Sequence, residues 1–308
     1  MAASEKKKKS KKRGAKASRS SFRAKAKPKA KAKPKAKAKA KAKPKKPVAK
    51  PKAAAPTRHL IVQPGQSRVL GEITVPSGKL AIFDIGLMGY LPREALDPSI
   101  VFCDVPRDRA LRVLGAPVGK GRFADCWDHV AVELAGGEIT HSKKLGEAAV
   151  DFARLACIDH VALDAWQHED SLDGKADIAF WGRDGKVLAH VLNAQRIDDG
   201  YGWVDLTVEE AEKKADVVAR KKAENKWLLA SDFRPHTHHF YALKAARQSG
   251  NGAGMLDVGG ARMMLIFTSW GDGVFPIYLD LDHDDRPVQV RIQLATAESD
   301  AAMSSVNP

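Results

Sequence analysis

Carboxylates are nearly missing from the first 58 residues, where Glu5 stands alone among 25 lysines and arginines. Large apolar side chains are almost as scarce there, with little beyond Phe22 and Val48. Such a segment has nothing to bury against the roughly 1–2 kcal/mol per residue that backbone ordering costs, so it is expected to be disordered in isolation. Cysteine is also rare. Cys103, Cys126 and Cys157 are odd in number and far apart, which suggests neither a disulfide framework nor a Cys-x-x-Cys zinc site. A reducing, cytoplasmic compartment is the default. No apolar run approaches the roughly 20 residues a membrane span requires, and no signal-type apolar stretch is seen; the densest run is 263–267.

What is abundant is charge, unevenly placed. The chain has 52 basic and 37 acidic residues; residues 1–58 hold 25 and 1 of these, or +24, leaving 27 and 36, or −9, on the other 250. The sequence therefore reads as a basic arm joined to an acidic globule. Six prolines, from Pro28 to Pro56, interrupt the arm at intervals too short for a stable isolated helix. Lys29, Lys31, Lys33, Lys35, Lys37, Lys39, Lys41 and Lys43 recur at every second position. Wound into a helix they would point all round its axis, which argues against a membrane-surface helix with charge on one side.

Dense lysine without aromatics suits a phosphate backbone, because each phosphate contacted releases condensed counterions. Eight engaged lysines imply a log–log salt slope of about −7. With no stacking aromatics and no arginine fork on a helix, base-specific readout is not expected. DNA or RNA is thus the expected partner, bound without sequence preference and placing the protein in the cytoplasm or on the nucleoid. Two other readings of the arm stay open: a solvated run that keeps an acidic globule soluble or folds back on it, and an import peptide, against which scarce arginine and the absent amphipathic period count. Ser18, Ser20 and Ser21, beside Arg19 and Arg23, are candidate phosphate acceptors that would subtract charge.

The arm's Lys-Pro-Lys-Ala units, 27–30 and 33–36, resemble the C-terminal tails of linker histones and their bacterial counterparts. That resemblance is compositional and implies DNA association for the arm alone.

From Leu60 the composition changes, and residues 59–297 read as one globular domain, with residues 298–308 a frayed end. Strands are expected at 59–63, 67–75, 79–85, 100–105 and 128–134, with a turn at Pro76-Ser77-Gly78 and a helical turn from Pro92. Residues 150–166 fit strand and helix alike. Asp184-Gly185 between apolar runs 176–181 and 186–192 signals a hairpin; further hairpins are expected across Gly259-Gly260 and across 282–285. One long helix is plain: Thr207 and Glu210 make a capping box, and Val208, Ala211, Ala215, Val218, Ala219, Ala223 and Trp227 form one stripe. Glu209 with Lys213 and Glu210 with Lys214 add pairs on its wet side. The expected class is α+β: a disordered basic N-terminal tail, then a predominantly antiparallel β domain with one long amphipathic helix.

The block Trp270-Gly271-Asp272-Gly273-Val274-Phe275-Pro276-Ile277-Tyr278, with Ser77-Gly78-Lys79 and Asp84 early on, resembles an uncharacterised bacterial domain family. The resemblance implies a single-domain globule and carries no reaction, cofactor or catalytic residue. No cofactor motif is found elsewhere, and none is expected.

Among candidate sites, Arg234-Pro235-His236-Thr237-His238-His239 stands first. On an extended segment His236 and His238 would point the same way and offer two imidazoles to a metal, with Asp272 or Asp232 as third ligand. The plainer reading is a polar loop. Trp270 and Asp272 would sit at a pocket lip, or in a tight turn. Asp280, Asp282 and Asp284 have EF-hand-like spacing, but Asp285 and Arg291 stand where that loop needs Gly and Glu. Three functions follow: a non-catalytic nucleic-acid-associated protein whose arm tethers the globule, a metal-assisted enzyme, or an interaction module of immunity type whose acidic surface binds a basic protein.

Overall fold

The structure, a computed structural model, describes residues 67–297 apart from Tyr90, Pro92 and Asp199. The arm with its eight alternating lysines, the strand expected at 59–63 and the C-terminal end from 298 lie outside the described residues.

The chain is mostly antiparallel β. Its strands are β1 (Arg68–Ile73), β2 (Lys79–Asp84), β3 (Val101–Asp104), β4 (Leu111–Pro117), β5 (Trp127–Glu133), β6 (His141–Val150), β7 (Arg154–Asp159), β8 (Lys175–Trp181), β9 (Gln195–Ile197), β10 (Gly200–Thr207), β11 (Ala230–Pro235), β12 (Ala253–Val258), β13 (Ala261–Phe267), β14 (Gly273–Leu281) and β15 (Pro287–Gln293). The helices are α1 (Arg93–Leu96), α2 (Gly185–Leu192), α3 (Val208–Asn225) and α4 (His238–Gln248). A six-stranded sheet runs β1-β4-β5-β15-β14-β6, a five-stranded one β12-β13-β7-β2-β3, and a four-stranded one β11-β8-β10-β9.

Burial explains the layers. Apolar residues alternating along β2, β5, β13, β14 and β15 meet between the six- and five-stranded sheets, where Ile73, Leu80, Val130, Met264, Phe275 and Ile292 form the main core. The other face of the five-stranded sheet buries Phe83, Ile158 and Leu265 beneath Ala242 and Ala246 of α4. Helix and sheet approach closely because Gly254 in β12 has no side chain; a Cβ there would lie 2.3 Å from the Ala246 backbone nitrogen.

Between β7 and α4 the chain leaves this sandwich to build a separate lobe. Ala176, Ile178 and Phe180 of β8 pack against Leu188 of α2 and Ala211 and Val218 of α3, a core of its own. Exit and return are side by side: Leu172 N donates to His236 O at 2.8 Å, and His236 N to Lys175 O at 3.0 Å.

Helix α3 carries the expected capping box, Thr207 Oγ1 accepting from Glu210 N at 3.3 Å and Glu210 Oε2 from Thr207 N at 3.1 Å. Glu209 pairs with Lys213 at 2.7 Å, whereas Lys214 leaves Glu210 and sits 4.4 Å above the Trp203 ring. Two expectations are corrected. Asp184-Gly185 opens α2, not a hairpin, because Leu228 N donates to Asp184 Oδ2 at 2.7 Å and Asp184 N to Leu228 O, fixing the chain at a helix start. A second missed helix, α4, begins where an extended His236–His238 segment was expected: Thr237 is its N-cap, accepting from Phe240 N at 3.3 Å. Long α3 is therefore accompanied by α2 and α4 as well as by the short α1. The ambiguous stretch resolves into β7 followed by a 3₁₀ turn, Val161–Ala165.

Candidate functional site

The junction between lobe and sandwich gathers more chemistry than any expected site. His236, 2% exposed, follows the last residue of β11 and is held by its paired backbone. Its Nδ1 lies 3.0 Å from Asp173 Oδ2, and its Nε2 lies 3.1 Å from Asp177 Oδ1. Phe240 stacks on the imidazole with centroids 4.2 Å apart, and Tyr241 OH donates to Asp173 Oδ2 at 2.8 Å. Burial alone would push the Asp173 carboxyl up, but hydrogen bonds from His236, Tyr241 and the Lys175 backbone hold it well below the usual carboxylate range. Burial and that same carboxylate push the Tyr241 hydroxyl up to about 12, so it stays a donor.

Asp205 completes the group. β10 bulges between Trp203 and Leu206, putting Asp205 at φ 56° and letting its N–H donate to Asp177 Oδ1 at 2.8 Å. Such a bulge re-aims a side chain, and Asp tolerates the left-handed region better than most residues. Asp177, Asp205 and His236 each present a ligand atom, all within 4.8 Å of one another.

His238 does not join them. As the first residue of α4 its Nδ1 accepts from Gln167 N at 2.8 Å, and its ring stacks on Trp166. Asp232 pairs with Arg234 at 2.8 Å, and Asp272 is exposed in the turn between β13 and β14. The expected pair of His236 and His238 therefore splits, because the extended run ends at the Thr237 N-cap and His238 already belongs to α4, where its ring lies on Trp166.

His239 points the other way, into the sandwich. Its Nε2 is 2.7 Å from Arg154 Nη1, which makes Nε2 the acceptor and Nδ1 the protonated nitrogen. That Nδ1 and the Trp166 indole nitrogen are buried without a hydrogen-bond partner among the described residues. Burial first, then the charges of Arg154 and His168, push the His239 imidazole down to about 3.

The turn at Trp270 is structural. The Trp270 indole N–H donates to Trp127 O at 2.7 Å, Ser269 Oγ accepts from Trp127 N at 2.9 Å, and Gly271 takes φ 78°. It locks β5 to the start of β14, the tight turn that was the plainer expectation for Trp270 and Asp272. The early motif is structural too: Asp84 accepts from the backbone N–H of Gly86, Asp151 and Phe152, while Ser77 N donates to Asp159 Oδ2. Asp280 leaves the EF-hand-like series altogether, buried against Arg291 Nε at 2.8 Å and Gln289 Nε2 at 2.7 Å. Asp282, by contrast, caps its own exposed hairpin tip beside His283 and Asp284.

No family model, curated protein or solved structure matches this chain. Among the described residues no helix is long and apolar enough to cross a membrane.

Proposed function

We propose that the protein associates with nucleic acid through residues 1–58, holding its acidic domain beside a DNA or RNA backbone without reading base sequence. The observation behind this is the charge division, +24 on 58 residues against −9 on the other 250. Repulsion between the acidic domain and phosphate leaves the arm as the contacting part, and counterion release supplies the affinity. The Lys-Pro-Lys-Ala units support the same reading by their resemblance to linker-histone tails.

The test is fluorescence anisotropy with labelled duplexes of unrelated sequence and with single-stranded RNA, using the full chain across a salt series. Binding should be indifferent to sequence, with a log–log slope of about −7 if eight lysines engage. Replacing Lys29, Lys31, Lys33, Lys35, Lys37, Lys39, Lys41 and Lys43 with glutamine should flatten that slope, and deleting residues 1–58 should abolish binding. Undiminished binding by the truncated chain overturns the proposal. A partner recovered on the acidic domain alone, surviving nuclease treatment, would favour the interaction-module reading instead.

A further inference from the structure

We infer that the junction of lobe and sandwich is a divalent metal site, with His236 Nε2 and the carboxylates of Asp177 and Asp205 as ligands and zinc as the ion it fits best. The inference is independent of the arm's function.

His236 is oriented as metal-binding histidines are. Asp173 accepts from one ring nitrogen at 3.0 Å, and Tyr241 holds Asp173 from behind at 2.8 Å. A carboxylate on the outer nitrogen fixes the tautomer and turns the lone pair of the other inward. That inner nitrogen faces Asp177 Oδ1 at 3.1 Å. Two atoms bearing lone pairs at this separation repel unless a proton or a cation lies between them.

A second proton on His236 would satisfy that contact, but it leaves Asp205 unexplained. Asp173, Asp177 and Asp205 bring three negative charges to one imidazole, so the group keeps a net charge of −2 even with a full imidazolium. The bulge nevertheless places Asp205 in the left-handed region and brings its carboxylate to within 4.8 Å of the other ligand atoms. A divalent ion cancels the excess and gives all three inward groups a common partner.

The donor set selects the ion. Imidazole nitrogen favours zinc and its neighbours over calcium or magnesium, while two carboxylates suit a borderline cation better than a soft one. Three protein ligands leave a coordination position for water, and Asp205, the exposed member, marks the side from which water reaches the ion. The acidic tip at Asp282, His283 and Asp284 offers no buried imidazole and serves as an internal control.

The experiment uses the full chain, stripped with a chelator and titrated with Zn²⁺ by calorimetry and with Co²⁺ by visible absorption. One ion per chain should bind, with Co²⁺ bands that Zn²⁺ displaces. Asp205→Asn removes a ligand charge at an exposed position that asparagine also tolerates, so the fold is kept; affinity should fall 100-fold or more. Tyr241→Phe leaves the three ligands in place and should cost about 10–100-fold through Asp173. Asp284→Asn should change nothing. A stoichiometry near zero, an affinity unaltered by Asp205→Asn, or a loss caused by Asp284→Asn overturns the assignment.

Discussion

The sandwich and the lobe are built from the same kind of strand yet reach stability differently. In the sandwich two sheets face each other, so fully buried side chains such as Leu80, Leu155 and Phe275 are shared between layers and α4 covers a third surface. The lobe has one sheet with helices on one face, and its core rests on Ala176, Ile178, Phe180, Leu188, Ala211 and a few neighbours. Its other large apolar groups remain partly open, Trp181 at 39% and Phe233 at 37% exposure. Buried apolar area sets most of folding free energy, so the smaller core should open first. The residues around His236 stand where the two meet, with Asp173, Asp177 and Asp205 on the lobe side and Tyr241 on the sandwich helix.

That contrast breaks most sharply at Phe180, which is fully buried in the lobe. Phe180→Ala should cost about 4 kcal/mol. Hydrogen exchange should then show protection lost across β8, β10 and β11 while β7, β13 and β15 keep theirs; equal loss in both would mean one cooperative unit. On the sandwich side, Gly254→Ala should cost about 3 kcal/mol, since its Cβ meets α4 backbone that cannot swing away. Urea unfolding would show it, and a midpoint unchanged from the parent would remove the close-approach argument.

Acid should also separate the regions. His239 is neutral when folded, pushed down to about 3, whereas an unfolded histidine titrates near 6.5. Between those values the unfolded state binds one more proton, so stability falls as pH drops, by about 1.4 kcal/mol per pH unit. His239→Gln should flatten this limb of the stability curve; an unchanged slope would assign it to other groups. Smallest is the α3 cap: Thr207→Ala should cost about 1 kcal/mol. It should appear as faster exchange in the first turn of α3, with the sandwich unaffected.

Much of the sandwich was legible in the sequence. Short turns such as Gly259-Gly260 join strands that are neighbours in both chain and space, and α3 announces itself by its cap and stripe. The lobe was harder. Lys186–Leu192 is a short, largely apolar run that suits a buried strand as well as a helix, and the bonds between Asp184 and Leu228, distant in sequence, fix the chain at a helix start. The candidate site was half visible, because His236 stood out while its companions did not. Asp173 and Asp177 precede and enter β8, Asp205 lies in β10 and Tyr241 in α4, so no one spacing joins them, and a single Asp within a strand such as β8 gives no signal of the residues opposite it.

The hydrogen bonds that join Leu172, Lys175 and His236 form a gateway through which the chain departs and comes back. A host built this way meets its guest at one narrow neck, so an inserted module can lengthen, shrink or be exchanged like a cassette while the surrounding sheets keep their register. The constraint falls on the neck itself, and the imidazole lodged there ties whatever module is grafted to the body that carries it.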